Sequence, residues 1–244
     1  LVLDDGDQAF RASRGNFGLV WVQGKGYGFP SYAQWTMRSA RAWPQLAAAL
    51  QADTGIAVQL KQPGGFAFCF SEDEREARRA RLQAIRDDLG GRPDDYPFEM
   101  LDTAAVRDRV PHIGPEVVGA SYTPMDGHAN PLKLLRSLQQ ALLRLGGAYL
   151  PNRTVDRIAH RAGEFTVHSG GEAITGEKLV IAAGLGSARL ARMVGLSMPV
   201  TPLRGEIVGT DRVRRFLDCA THIARQTDKG SVLLGDSRED AGFD

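Results

Sequence analysis

Apolar residues recur at the helical spacing of three to four positions in several segments of the chain. In the first of these segments, Tyr32 and Trp35 are predicted to face the core, and Pro44 is predicted to kink or divide the helix. Ser71 and Asp102 each begin a further helix, and the acidic residues that follow Ser71 favour a helix N-terminus. The predicted helices lie at about residues 31–50, 71–89, 102–110, 132–145 and 187–194.

Short runs of β-branched and aromatic residues, bounded by glycine and proline, predict many short strands. Alternating positions through Phe165, Val167 and Ile174 indicate a small antiparallel meander. The last run, at residues 222–235, is typical of a hairpin that turns at residues 228–230. The other predicted strands and extended segments lie at about residues 1–3, 19–22, 56–61, 65–70, 117–122, 147–151, 154–158, 179–181 and 199–208.

The segment at residues 178–192 combines a strand, a turn of small residues and a helix. The apolar run at residues 179–181 predicts a strand that is buried on both faces. Ala182, Ala183 and Gly184 follow it and leave room for another group to approach the backbone, and Ser187 is predicted to cap the next helix. This arrangement is typical of a site for a phosphate or a dinucleotide, and the alternative is a tight turn without a ligand.

Composition narrows the class of protein. The 244 residues are 43% hydrophobic and 24% charged, as in a soluble globular protein of one large domain or two. Thirty basic and 29 acidic residues leave a formal charge of +1, which indicates neither a nucleic-acid nor a membrane partner. No apolar run approaches the ~20 residues that span a bilayer. Cys69 and Cys219 lie far apart, which favours a reducing, cytoplasmic setting and argues against a zinc site.

The two ends of the sequence differ from those of a typical complete chain. Leu1 is not a methionine, and the first residues have the pattern of a strand and an acidic turn rather than of a signal peptide. No closing signal precedes Asp244. We therefore expect the chain to be a piece of a longer polypeptide.

Two early segments carry groups that suit a nucleotide. Asp4 directly follows the first strand, where an acidic residue of a dinucleotide-binding unit hydrogen-bonds a ribose hydroxyl; the alternative is a simple turn residue. The loop at residues 11–19 offers guanidinium, hydroxyl, amide and backbone N–H donors, which suit a pyrophosphate; the alternative is a solvated loop. The donors in this loop are Arg11, Ser13, Arg14, Asn16 and the backbone of Gly15 and Gly18.

His128 lies in a loop between a predicted strand and a helix, where functional sites often occur. A catalytic role is one interpretation, and a structural or solvated histidine is the other. The glycine-rich segment at residues 23–28 contains Lys25 but lacks the spacing of a phosphate-binding P-loop.

Several of these features occur in a specific order along the chain. They lie at residues 3–6, 11–19, 154–158, 179–184 and 202–206. This order resembles that of the FAD-dependent D-amino-acid oxidase/glycine oxidase superfamily, and most of all its bacterial D-amino-acid and D-hydroxyproline dehydrogenases and opine oxidase flavin subunits. The resemblance covers essentially the whole chain. It implies a mixed α/β fold, in which a partial dinucleotide-type FAD domain is joined to a substrate domain built on an antiparallel sheet.

The resemblance also implies roles for individual residues. Asp4 would hold the adenosine ribose, Val155 would meet adenine through its backbone, and Leu19 would lie near the flavin ring. Residues implied to line the pyrophosphate and ribityl chain are Arg11, Ala12, Ser13, Asn16 and Gly18. Residues implied to pack against the ribose-phosphate region are Ala182, Ala183 and Gly184.

The implied reaction is oxidation of the C–N bond of an amino acid or secondary amine by hydride transfer to the flavin. A substrate carboxylate would favour an arginine, for which Arg204 and Arg225 are candidates; the alternative for each is an ordinary surface or structural arginine. Lys25 and His128 are further catalytic candidates. The FAD domain is predicted at residues 1–21 and 131–197, and the substrate domain at residues 22–130 and 198–244.

The family's N-terminal glycine fingerprint and its closing C-terminal segment are both absent from this sequence. One alternative is therefore a non-catalytic flavoprotein subunit, or one that depends on a partner subunit. Another is a hydroxy-acid or glycerol-phosphate oxidase on the same scaffold. The amine substrate and the electron acceptor stay open.

Overall fold

The computed structural model describes residues 1–6, 12–235, 237–240 and 242, which divide between two units. The first unit contains the described parts of Leu1–Asn16, Leu138–Gly205 and Ser237–Asp244, and the second contains those of Phe17–Ser137 and Glu206–Asp236. The helices are α1 (Pro30–Thr54), α2 (Glu72–Asp88), α3 (Thr103–Arg109), α4 (Pro131–Arg144) and α5 (Ser187–Arg192). The strands are β1 (Val2–Leu3), β2 (Leu19–Val20), β3 (Gly65–Cys69), β4 (Glu99–Asp102), β5 (Gly119–Thr123), β6 (Gly127–His128), β7 (Tyr149–Leu150), β8 (Arg157–Arg161), β9 (Glu164–Ser169), β10 (Glu172–Gly176), β11 (Val208–Arg212), β12 (Ala220–Thr221), β13 (Ala224–Gln226) and β14 (Ser231–Leu234).

The main sheet of the second unit has the order β12-β3-β5-β4. Two of its three pairings, β3 with β5 and β5 with β4, are antiparallel, as predicted, whereas β12 pairs with β3 in parallel. The predicted antiparallel sheet is therefore observed with one parallel edge pairing. Two helices begin at the residues predicted to start them. The Ser71 hydroxyl caps α2 by accepting from the N–H of Glu74, and the Asp102 carboxylate caps α3 by accepting from the N–H of Ala105.

Helix α1 runs uninterrupted across Pro44, so the proline does not divide it. The prediction that Tyr32 and Trp35 face the core is wrong, because their exposed fractions are 37% and 64%. The buried stripe of α1 passes instead through Ala33 and Met37. The glycine turn before the helix explains this choice. A Cβ at Gly26 would lie 2.3 Å from the Ala33 nitrogen, so the turn approaches the helix this closely only with glycine at this position. This approach places the Ala33 side of the helix inward.

The second unit also contains two smaller sheets. Strands β2 and β6 form one antiparallel pair, and the order β11-β14-β13 forms a three-stranded sheet that contains the predicted C-terminal hairpin. No helix among residues 1–6, 12–235, 237–240 and 242 is both long and apolar enough to cross a membrane.

The first unit contains the parallel pair β1–β7 and the predicted meander, whose order is β10-β9-β8. Its core is formed by Ile158, Val167 and Leu190, which are buried. Helix α4 contributes residues to both units.

The predicted strand at residues 179–181 is not observed among the described residues. Leu179 and Ile181 pack against the core of the first unit, but Val180 is 85% exposed. In extended backbone, successive side chains point to opposite sides, and the core covers one side here. The prediction of burial on both faces is therefore wrong.

Candidate functional site

Asp4 lies at the carboxyl end of the parallel pair β1–β7. Its N–H donates to the carbonyl of Leu150 over 3.1 Å, and its carbonyl accepts from the N–H of Arg153 over 2.7 Å. The Oδ1 atom accepts from the N–H of Gly6 over 2.9 Å, so the carboxylate closes a turn just after the strand. Ligands of α/β sheets bind outside the carboxyl ends of parallel strands, and this is the position predicted for a ribose-binding acid.

One apolar cluster joins three of the segments predicted to contact the cofactor. Leu3, Val155 and Ile181 all pack against the buried core of the first unit. Val155 is itself a predicted cofactor residue. Leu3 and Ile181 directly precede two others, Asp4 and Ala182. The strand end, the Val155 backbone and the small-residue turn are thus anchored on the same core.

The turn at residues 182–187 presents small residues at the surface. Ala182, Ala183 and Gly184 are exposed, and the position that a Cβ would occupy at Gly184 meets no atom within 4 Å. The prediction that Ser187 caps α5 is wrong, because Ser187 is the first residue of the helix. Its hydroxyl accepts from the N–H of Ala183 over 3.0 Å, and this bond joins the small-residue turn to the first residue of the helix.

Of the predicted pyrophosphate loop, Arg11 lies outside the described residues. Ala12, Ser13 and Asn16 are exposed, and the Asn16 amide donates to the carbonyl of Ser13 over 3.0 Å. The carbonyl of Val155, whose backbone is predicted to meet adenine, accepts from the Arg189 guanidinium over 3.0 Å. These roles stay predictions.

Two features of the first unit, the Asp4 carboxylate and the turn at residues 182–184, fit an adenine dinucleotide. A carboxylate follows a parallel strand, and the exposed turn of Ala182, Ala183 and Gly184 gives a flat ligand room to approach the backbone. Among the described residues, no group of three histidine, cysteine or acidic side chains is placed to hold a metal ion.

In the second unit, Gly18 directly precedes the pair β2–β6, and Leu19 is its first residue. Gly18 has φ +79°, and a Cβ there would lie 2.4 Å from the carbonyl oxygen of Ala129, so the position requires glycine. Leu19 lies opposite His128 in the register. Directly opposed residues of an antiparallel pair share a face, which places the predicted flavin neighbour Leu19 beside the candidate histidine.

His128 and Arg225 are both deeply buried, with exposed fractions of 4% and 3%. The Arg225 Nε atom donates to the carbonyl of Phe17, and the guanidinium lies 5.9 Å from the centre of the Phe17 ring. Burial, followed by the positive charge of Arg225, Lys61 and Arg215, lowers the pKa of His128 to about 4. The imidazole is therefore neutral at pH 7 and does not add a third positive charge beside Arg225 and Lys61.

The His128 pKa predicts a loss of stability in acid. The folded-state value of about 4 lies below the ordinary 6.5, so the unfolded chain binds the extra proton first as the pH falls. The stability from the neutral His128 is fully present above pH 6.5 and is lost as the pH falls to 4, and the loss at pH 4 amounts to about 3 kcal/mol.

His128→Gln is expected to remove this part of the pH dependence in urea unfolding between pH 7 and pH 4. Burial raises the pKa of Asp126 to about 7, which acts in the opposite direction, so the difference between wild type and variant is the relevant quantity. A difference that stays constant with pH would contradict a neutral buried His128. His160→Gln is the control, because His160 is exposed.

The other two catalytic candidates are exposed. Lys25 lies in the turn after β2, where its N–H donates to the carbonyl of Val22 over 3.0 Å. Arg204 belongs to the first unit and forms an exposed ion pair with Glu239. The backbone N–H of each of these two residues also donates to the carbonyl of the other. A catalytic role for either residue stays a prediction.

A buried polar network around Asp126 escaped the sequence analysis. Asp126 is fully buried; its Oδ1 accepts from the N–H of Val22 over 2.5 Å and its Oδ2 from the Gln23 amide over 2.9 Å. The Gln23 carbonyl oxygen accepts from the Ser121 hydroxyl, and the Tyr96 hydroxyl donates to the carbonyl of Val22 over 2.8 Å. Asp126 lies two positions before His128, but a polar residue in a loop carries no local sign that it will be buried.

Comparisons with known proteins identify the family. The family model described as "FAD dependent oxidoreductase" matches residues 1–244. The chain is 45% identical to one of the subunits of opine oxidase from Agrobacterium tumefaciens over 98% of its own length, and it spans 64% of that relative. It is 27% identical to glycine oxidase of Pseudomonas putida over 83% of its length and 54% of that relative.

The fold agrees with this result. The solved structure of glycine oxidase from Geobacillus kaustophilus matches with a TM-score of 0.86 at 22% identity, over 99% of this chain and 65% of that one. The predicted resemblance and mixed α/β fold are confirmed, and FAD is the cofactor of the family. The chain belongs to the family of FAD-dependent oxidoreductases that includes this opine oxidase relative and glycine oxidase.

Proposed function

We propose that the intact protein oxidises the C–N bond of an amino acid or a secondary amine. The main support is the 45% identity to the opine oxidase relative, which extends over 98% of this chain. Glycine oxidase, whose name states an amino-acid substrate, matches both in sequence and in fold. Because the chain spans 64% of the opine oxidase relative, the activity is assigned to the intact protein.

In this proposal the first unit holds the cofactor. Asp4 accepts a hydrogen bond from a ribose hydroxyl at the end of β1, and the small residues at 182–184 let the dinucleotide lie against the backbone. The chemistry that FAD supplies when bound is acceptance of a hydride from the amine-bearing carbon, which leaves an imine for water to hydrolyse.

The second unit orients the substrate. Gly18 fixes the course of the chain into β2 and so sets the position of Leu19 beside His128. The neutral His128 imidazole offers one N–H donor and one acceptor, and the buried Arg225 offers a permanent positive charge. Together they favour a substrate that carries a negative group next to the reacting carbon.

A partner polypeptide is also part of the proposal. The opine oxidase relative is, by its name, one of the subunits of a larger enzyme. A partner would complete the site or pass electrons from the reduced cofactor to an acceptor. We expect the intact protein to be isolated together with a second polypeptide in a stoichiometric amount. Separation of the two polypeptides should abolish turnover.

The reaction itself is tested by anaerobic mixing of the intact, FAD-loaded protein with glycine, D-amino acids and secondary amines. We expect the absorbance of oxidised flavin to bleach with at least one of them, with release of one carbonyl product and one amine or ammonia per flavin reduced. Bleaching by hydroxy acids or glycerol phosphate alone would contradict C–N oxidation. Tight FAD binding without bleaching by any of these compounds would favour a non-catalytic flavoprotein.

A further inference from the structure

Helix α1 and the residue before it carry a row of exposed aromatic side chains. Phe29, Tyr32 and Trp35 have exposed fractions of 62%, 37% and 64%, and their spacing by three residues places them along one side of the helix. The ring centres of Phe29 and Tyr32 are 6.4 Å apart, and so are those of Tyr32 and Trp35. The three rings therefore form one continuous apolar surface, the aromatic stripe. Contiguous exposed apolar surface is typical of an interaction site.

The chain segment that carries the aromatic stripe is cationic. Arg38 and Arg41 are exposed on α1, and Asp53, next to the last residue of the helix, is its only acidic residue. Lys25 is exposed in the turn before the helix. In the sequence, residues 8–52 contain no acidic residue, although the whole chain has a formal charge of only +1. The balanced net charge thus conceals a cationic segment, and the complement of such a segment is an acidic surface.

A groove with a volume of about 250 Å³ adjoins the aromatic stripe, and Tyr32 and Trp35 belong to both. None of its lining residues is charged, and the hydroxyls of Thr36 and Ser39 already donate to carbonyls of the helix over 2.9 Å. A cavity of about 150 Å³ is large enough for a benzene ring, so the groove accepts a protruding apolar side chain of that size. The lining includes all three tryptophans of the sequence, Trp21, Trp35 and Trp43.

The stripe, the charge and the groove together favour a polypeptide as the occupant. Tryptophan, tyrosine and arginine dominate the hot spots of protein–protein interfaces, where side chains of one partner fill pockets on the other. A helix that lies on a membrane instead buries a continuous apolar face among the lipid headgroups, whereas a groove receives a protruding side chain. The opine oxidase relative is, by its name, a subunit, so a polypeptide partner is also the occupant that the comparisons support.

We propose that the aromatic stripe and the adjoining groove form the docking surface for the partner polypeptide. This inference rests on the proposed function, in which a partner completes the enzyme. The matching surface of the partner carries an apolar side chain that enters the groove, and aspartate or glutamate side chains that face Arg38 and Arg41. Because Leu19 belongs to the lining of the groove, the docked partner lies beside the segment predicted to lie near the flavin.

Hydroxyl-radical footprinting of the intact wild-type protein locates the surface without using activity. The co-purified complex is compared with the same protein after the two polypeptides have been separated. We expect oxidation of Tyr32 and Trp35 to slow several-fold in the complex, because the core of an interface excludes water. Phe70 is the internal control: it is 47% exposed outside the aromatic stripe, and its oxidation should be equal in both samples.

Variants of the intact protein measure what the surface contributes to affinity for the separated partner. Trp35→Ser should remain folded, because Trp35 is exposed, and its affinity should fall by about 30-fold or more, as for an interface hot spot. Phe70→Ser is the matched aromatic control. Arg38→Glu should weaken binding, and more at low salt than at high salt, because salt screens the attraction to an acidic surface. Arg79→Glu reverses an exposed charge of α2 and should leave the affinity unchanged.

Several results would overturn the docking surface. Wild-type affinity in both Trp35→Ser and Arg38→Glu would reject it and keep the partner itself. Slow oxidation of Trp35 already in the separated protein would assign the stripe to another segment of the intact chain. Protection by phosphatidylglycerol vesicles instead of the partner would assign it to a membrane, and self-association that Trp35→Ser abolishes would assign it to a second copy. None of these measurements uses turnover, so their failure is distinct from a failure of C–N oxidation, which flavin bleaching tests.

Discussion

Replacing Ala182 with phenylalanine is expected to abolish FAD binding by the intact protein and to leave the protein folded. Ala182 is exposed and follows Ile181, which packs on the core shared with Leu3 and Val155. A phenyl ring at this position has space within the first unit, so the fold should tolerate it. The same ring would occupy the surface that we assign to the dinucleotide, and we expect affinity for FAD to fall at least 100-fold.

The measurement is titration of the apoprotein with FAD, followed by flavin absorbance and fluorescence. Ala173→Phe is the matched control, because Ala173 is also an exposed alanine of the first unit but lies on β10, in the meander. Its FAD affinity should equal that of wild type. Wild-type affinity in Ala182→Phe would remove this turn from the cofactor site.

Asp126→Ala is expected to lower the free energy of unfolding by about 3 kcal/mol, because it leaves buried donors without an acceptor. The carboxylate holds the N–H of Val22 and the amide of Gln23, two groups that lie more than 100 positions away in the sequence. These bonds fix the chain between β2 and the glycine turn that follows it. Loss of the network should also loosen β2, which carries Leu19.

Equilibrium unfolding in urea provides the free energy, and amide exchange of Val22 reports the local effect. Asp53→Ala serves as the control, because Asp53 is an exposed carboxylate of α1 and its removal should change stability by less than about 0.5 kcal/mol. A loss below about 1 kcal/mol in Asp126→Ala would show that water or neighbouring groups replace the carboxylate.

Several features that depend on neighbours in the sequence were predicted correctly. Ser71 and Asp102 cap their helices through N–H groups three residues away, and such bonds form wherever the local pattern occurs. The meander and the C-terminal hairpin follow from alternation and turn residues, which also act over a few positions. The order of the motifs was sufficient to identify the family.

The tertiary structure decided which side chains are buried and which distant groups meet. The close approach of Gly26 to Ala33 selected the inward face of α1 and left Trp35 exposed. Arg225 meets the carbonyl of Phe17 across 208 positions, and Asp126 meets Val22 across 104. Periodicity indicates that a residue has an apolar neighbour one helical turn away. The burial of a charged side chain depends instead on partners that are distant in the sequence and come close only in the folded chain. The sequence therefore determined the family, the cofactor and most local elements, whereas only the packing of the folded chain buried His128 and Arg225 and created the Asp126 network.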